Sequence, residues 1–191
     1  MFKIVLQFLI LIPLLASPSL LRGQADIEVE AGLLGAFNAK QTEIWGRTVH
    51  SDPSLGMYAK TGFSWYFEEL KLQAAVLAGY HFLELNGEGE DLTYSGTTHR
   101  ISFSTGLRYW LVKEWGLGTF LDIENNRDLE EWRTSTNDLL RYSLSVNVLY
   151  RLHASLKLVA GYRAPFYPRN EAYFLYNPAQ QVWVGLNYGF L

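Results

Sequence analysis

Residues 140–162 read LRYSLSVNVLYRLHASLKLVAGY. Leu140, Tyr142, Leu144, Val146, Val148 and Tyr150 hold one parity of this stretch, while Arg141, Asn147 and Arg151 fall on the other. Side chains two apart share a face of a strand, so the pattern predicts a strand with one apolar and one polar face. Arg151-Leu152-His153 reads as a tight turn, after which Leu156, Leu158, Ala160 and Tyr162 resume the apolar parity opposite Lys157 and Arg163. The stretch is a β-hairpin whose two strands present the same kind of face.

Working outward, the pattern recurs until eight strands are predicted. Their apolar faces begin with Ile27, Val29, Ala31, Leu33 and Phe37; Leu55, Met57, Ala59, Phe63, Trp65 and Phe67; and Leu70 to Phe82 on even positions. They continue with Ile101, Phe103, Leu107, Tyr109 and Leu111; Trp115, Leu117, Leu121 and Ile123; the hairpin above; and Val182, Val184, Leu186, Tyr188 and Phe190. No charge falls on this face, and the opposite parity carries Lys60, Lys71, Arg100, Arg108, Asp122 and Glu124. Alternation alone does not say which face looks inward. A soluble sandwich or ligand-binding barrel would place the charges outside.

Three features point the other way. Tight turns near Glu68-Glu69, Val112-Lys113-Glu114 and Arg151-Leu152-His153 alternate with long polar connections over 38–54, 84–99, 125–139 and 165–180. Short turns at one end and long loops at the other are the layout of outer-membrane barrels. Trp65, Phe67, Tyr109, Trp115, Tyr150, Tyr188 and Phe190 gather on the apolar face near the short turns, and Phe37, Tyr80, Phe82, Tyr142 and Tyr162 near the long loops. Two such girdles match the two interfaces of a bilayer. Predicted strands of roughly 10–15 residues suit a tilted bilayer crossing. The expected fold is an all-β, eight-stranded antiparallel up-and-down transmembrane β-barrel.

Composition agrees. The chain has 191 residues, 49% of them hydrophobic, with 16 basic and 19 acidic side chains and no cysteine. There is no basic surplus for nucleic acid, and no disulfide framework or cysteine-ligated metal. Residues 1–25 read as a signal peptide: Lys3, an apolar core over 4–16, then Gly23-Gln24-Ala25 before a cleavage point at Asp26. Residues 26–191 are then the barrel domain, exported to the bacterial outer membrane.

The last strand, Val182-Trp183-Val184-Gly185-Leu186-Asn187-Tyr188-Gly189-Phe190-Leu191, is similar to the C-terminal signal read by the barrel assembly machinery, with Phe190 penultimate rather than last. As a pattern, residues 26–191 resemble the small OmpA/OmpX-like barrels of Gram-negative bacteria. The resemblance implies outer-membrane lipid and lipopolysaccharide as surroundings, the assembly machinery as a biogenesis partner, and a surface or envelope protein as a further partner.

Inward charges are expected at Glu28, Glu30, Lys60, Arg100, Arg108, Asp122, Glu124, Arg141, Lys157 and Arg163, with Asp26, Glu68, Lys71 and Arg151 toward the turn end. An eight-stranded lumen is about filled by side chains, and Tyr58, Tyr66, Trp110, Phe120 and Trp183 also point into it. Interlocked ion pairs that plug the barrel are therefore expected ahead of a selectivity lining. Among catalytic candidates, His153-Ala154-Ser155 offers only part of the His-x-Ser-Asn motif of lipid A deacylases, since Leu156 replaces Asn and the site is a turn. His50, Ser51 and Asp52 are neighbours in sequence, whereas triad groups converge from separate segments. His81 and His99 read as isolated, and Asn86, Glu88, Glu90 and Asp91 as a mobile acidic loop, so no metal or other cofactor is expected. The fourth loop is aromatic: Phe166, Tyr167, Arg169, Tyr173, Phe174 and Tyr176 form the expected binding patch. The functional expectation is a non-enzymatic barrel with a structural and surface-interaction role. A lipid A-modifying enzyme and a narrow channel are the alternatives.

Overall fold

The computed structural model describes residues 24–37, 42–44, 47–89, 92–126, 140–166 and 180–190. Ten strands follow in order: β1 Gln24–Phe37, β2 Thr42–Ile44, β3 Arg47–Ser51, β4 Ser54–Phe67, β5 Leu72–Gly89, β6 Leu92–Trp110, β7 Trp115–Asn126, β8 Leu140–Arg151, β9 Leu156–Phe166 and β10 Gln180–Phe190. Eight of them, β1 and β4 to β10, pair antiparallel with their neighbours in the chain's order. The seam between β1 and β10, from Ile27 opposite Phe190 to Phe37 opposite Gln180, closes the sheet on itself. The fold is a closed eight-stranded up-and-down barrel.

The two faces lie as the girdles suggested. On β10 every second residue from Gln181 to Gly189 is buried and every intervening one exposed. Outward residues include Leu55 at 75% and Val146 at 50% exposure, whereas Glu28, Arg108 and Asp122 are 0% exposed. Outward rings pair near the turn end, with Trp115 against Tyr150 at 4.7 Å and Tyr188 against Phe190 at 4.8 Å between centroids. Inside, bulky groups lie over glycines on an adjacent strand or the next one along. An added Cβ at Gly161 would fall 2.2 Å from the Trp183 ring, and one at Gly185 would fall 2.4 Å from the Tyr58 hydroxyl. Large against small is how a narrow lumen accepts its aromatics.

Turns at one end are compact. Between β4 and β5 a 3-10 turn at Glu68–Leu70 closes at Lys71, whose φ of 50° is left-handed and whose N–H donates to Glu68 O at 3.1 Å. Leu111 and Leu152 N–H donate to Trp115 O and Leu156 O, at 3.0 and 2.9 Å. Glu68 and Lys71 are exposed in the first turn, not inside the barrel as their parity predicted. Parity ends where the strand ends.

The other end departs further from expectation. The predicted loop over 84–99 is strand: β5 and β6 stay paired to Gly89 opposite Leu92. Gly87 and Gly89 suggested a loop, but Thr93, Tyr94, Thr97 and Thr98 favour extended backbone. An apolar alternation is missing there because the outward face changes from Phe82 and His99 to Glu84 and Thr97, where hydrocarbon would stop. The first connection likewise contains the β2–β3 hairpin, which pairs with β5 at Val49 to Ser51.

Val146 faces outward mid-way along β8, between Thr119 and Tyr162. Val146→Arg is expected to destabilise the barrel by about 2–4 kcal/mol. Urea titration of the folded, heat-modifiable species in lipid vesicles would measure it, and an effect below about 0.5 kcal/mol, the scale of an ordinary surface substitution, would contradict a lipid-facing position.

Candidate functional site

The polar parity of all eight barrel strands converges on two connected charge clusters in the lumen. Glu28 on β1 anchors the one nearer the turns. Its carboxylate accepts from Arg108 Nη1 at 2.5 Å, Gln73 Nε2 at 2.7 Å, Ser64 Oγ at 3.0 Å, Asn187 Nδ2 at 3.1 Å and Lys157 Nζ at 3.2 Å. Glu30, one pleat further up, accepts from Tyr58 OH at 3.1 Å and Asn187 Nδ2 at 3.3 Å and lies 3.6 Å from Arg108 Nη2. Arg108 comes from β6, across the barrel from β1, and its guanidinium also stands over the Phe120 ring at 5.2 Å.

Asp122 and Glu124 on β7 hold the second cluster. Asp122 meets Lys60 Nζ at 3.5 Å, Arg163 Nη2 at 3.3 Å and Ser145 Oγ at 2.6 Å, and also accepts from Ser104. Glu124 pairs closely with Arg163 and lies 3.5 Å from Arg100. Lys60 and Arg163 stand over the Trp183 ring at 5.7 and 5.5 Å. Arg141 lies opposite Glu124 in the β7–β8 pairing. Apolar groups flank the clusters: Leu34, Ala36, Tyr58, Leu83 and Trp183 toward the loops, and Trp110, Leu149 and Val159 with Tyr66 toward the turns. Asp26 and Arg151 are half-buried at the turn end, Arg151 over Trp110 at 4.3 Å.

His81 is not isolated, contrary to the sequence reading. It is 1% exposed on β5, inside the second cluster. Its Nε2 lies 3.0 Å from Ser102 Oγ and its Nδ1 3.5 Å from Glu124 Oε1, the order of a serine–histidine–carboxylate triad. The signal was present in the parity, since Tyr80 and Phe82 face outward. However, Arg163 Nη1 lies 3.4 Å from Nδ1 and also holds Glu124. A guanidinium only donates, so the Arg163 contact assigns Nδ1 as an acceptor and, by that assignment, the imidazole proton to Nε2 facing Ser102. A base for serine needs the opposite tautomer, and Ser102 is 1% exposed. The arrangement ties β5, β6, β7 and β9 together through His81, Ser102, Glu124 and Arg163.

The other candidates are dispersed. His153 is exposed in the β8–β9 turn, and His99 faces outward near the loop end, hydrogen-bonded to Tyr80 OH and edge-on to Phe82 at 5.3 Å. His50 and Ser51 belong to β3, with His50 opposite Glu88, and Asp52 is exposed. Asn86 and Glu88 belong to β5; Glu90 and Asp91 lie outside the described residues. Among the described residues no group of three His, Asp or Glu side chains could hold a metal ion. Phe166 closes β9 opposite Tyr142, while Tyr167, Arg169, Tyr173, Phe174 and Tyr176 lie outside the described residues.

Two small outer-membrane barrels are among the solved structures similar to this chain. Ail, an outer membrane protein of Yersinia pestis, superposes with a TM-score of 0.51 at 11% identity, covering 87% of this chain and 100% of that one. OprG, an outer membrane protein of Pseudomonas aeruginosa, gives 0.51 at 12% identity, covering 88% and 97%. The chain therefore has the eight-stranded fold of small outer-membrane β-barrels, as the OmpA/OmpX-like resemblance implied. No family model and no curated protein sequence matches it, so the likeness is one of backbone architecture.

Two outcomes test the site. Glu28→Ala leaves Arg108 and Lys157 buried without their shared partner and is expected to cost about 3–5 kcal/mol. Glu28→Gln, which keeps the volume and one acceptor, should cost measurably less in the same denaturant titration. A fluorophosphonate probe should leave Ser102 unlabelled in the folded barrel; labelling that disappears in Ser102→Ala would establish the opposite tautomer and an open lumen.

Proposed function

We propose that the protein is an integral outer-membrane barrel that carries no solute and no enzymatic activity, stabilising the envelope and displaying its loop end for surface contacts. The observation that carries this reading is the lumen. Six of its charges, contributed by β1, β4, β6, β7 and β9, are cross-paired at 2.5–3.5 Å among Glu28, Arg108, Lys157, Asp122, Lys60 and Arg163. Aromatic groups pack above and below them. A transport path would need those charges to line free volume; here they occupy it. The uncharged outer face supports placement in a bilayer, with the short turns on the periplasmic side after export through the signal at 1–25 and insertion by the assembly machinery.

The display role falls to the loops, above all the aromatic fourth one. Its rings offer apolar contact area at low side-chain entropy, with Arg169 and Glu171 for polar contacts. Lipopolysaccharide or a surface or envelope protein fits that chemistry.

In planar bilayers the purified barrel is expected to give negligible conductance. Steady openings that shift in Arg108→Ala would favour the narrow channel. Deleting residues 167–177 should leave heat-modifiable folding intact, because a long loop adds mainly closure entropy, while surface binding falls. Unchanged lipid A mass spectra with and without the protein are expected; an acyl chain gained or lost would restore the enzyme.

A further inference from the structure

The three compact turns carry apolar surface that the strands themselves do not require. Leu70 and Leu111 are each 50% exposed, and Val112 and Leu152 each 53%, as open to the surroundings as the outward residues of the barrel wall. They extend the wall beyond Trp65, Tyr109 and Trp115, on tips whose backbones are closed by their own hydrogen bonds, and about half of each residue's surface is left uncovered. Each turn also sets a base beside its aliphatic tip: Lys71 after Leu70, Lys113 after Val112, Arg151 before Leu152.

We propose that the turn end is embedded in the headgroup layer of the bilayer, its four aliphatic tips entering the acyl boundary and its lysines reaching lipid phosphates. This rests on the membrane reading above and adds a second lipid contact, below the aromatic girdle. Two arguments favour a lipid surface over a protein partner. The exposed aliphatics adjoin the outward wall, Leu111 two residues beyond Tyr109 and Leu70 two residues before Leu72. They are also spread over three turns between β4 and β9, around much of the circumference. A plane of lipid touches such a ring everywhere, whereas a docked protein would cover one flank. Glu68, Glu69 and Glu114 in the same turns offset the bases, so apolar burial drives the contact and the lysines extend their stems alongside it.

The chain has no cysteine, so single cysteines are unique labelling sites. Val112→Cys and Leu152→Cys would carry an environment-sensitive nitrobenzoxadiazole label in phosphatidylcholine–phosphatidylglycerol vesicles. Thr97→Cys, on the exposed face of the β5–β6 extension, gives the aqueous reference, and Val146→Cys the hydrocarbon reference. The expected result is blue-shifted emission at the two turn sites, quenched by a spin label near the headgroups more than by aqueous iodide. If both turn labels match Thr97→Cys while Val146→Cys is quenched by lipid, the turns stand in water and this inference fails alone. If Val146→Cys in the folded barrel also escapes lipid quenching, the membrane reading itself fails and this inference with it.

Discussion

Hydrocarbon offers a peptide group nothing to bond to, and each unpaired N–H or C=O there costs several kcal/mol. An open sheet would leave two unpaired edges along its full length. The β1–β10 seam removes both, running from Ile27 opposite Phe190 to Phe37 opposite Gln180. Everything else in the structure depends on that closure. It joins the two ends of the chain, so no pair along it forms until the last strand is in place. It also fixes a lumen only wide enough for side chains.

A narrow lumen settles the fate of the charges. Once the apolar parity faces outward, the polar parity has nowhere to go but inward, and each carboxylate must find bases on other walls. Glu28 does so on β6 and β9, and Asp122 on β4 and β9. These ties cross the barrel, so they brace its cross-section where the ladder hydrogen bonds, which run around the wall, do not. A buried pair contributes little net stability over an apolar filling, but removing one partner is expensive. Charges of this kind also define facing: a strand slipped by one residue would put Glu28 or Arg108 on the apolar outer wall.

The same crowding explains the inner glycines. Trp183 lies across Gly161 and Tyr58 against Gly185, and in each case an added Cβ would overlap the ring or hydroxyl. In sequence these glycines look like strand weaknesses. In the closed barrel they are the counter-shapes of the aromatics, and the second charge cluster leans on one of those aromatics through Lys60 and Arg163 over Trp183.

The sequence by itself determined the eight barrel strands, their parity and the three short turns, because each of these is local. Alternation marks a face within a single strand, and the aromatic girdles at Trp115 and Tyr142 mark its ends without reference to any other strand. Only the tertiary structure decided the pairings. Lys157 and Glu28 are 129 residues apart, and which acid meets which base depends on the stagger of strands around the barrel. His81 illustrates the limit. Its parity was legible, but its surroundings were set by Ser102 from β6, Glu124 from β7 and Arg163 from β9, which meet it only in the closed barrel. The extension of β5 and β6 to Gly89 and Leu92 was hidden for the converse reason: its outward face turns polar at Glu84 and Thr97, so a strand there leaves no apolar period-two signature.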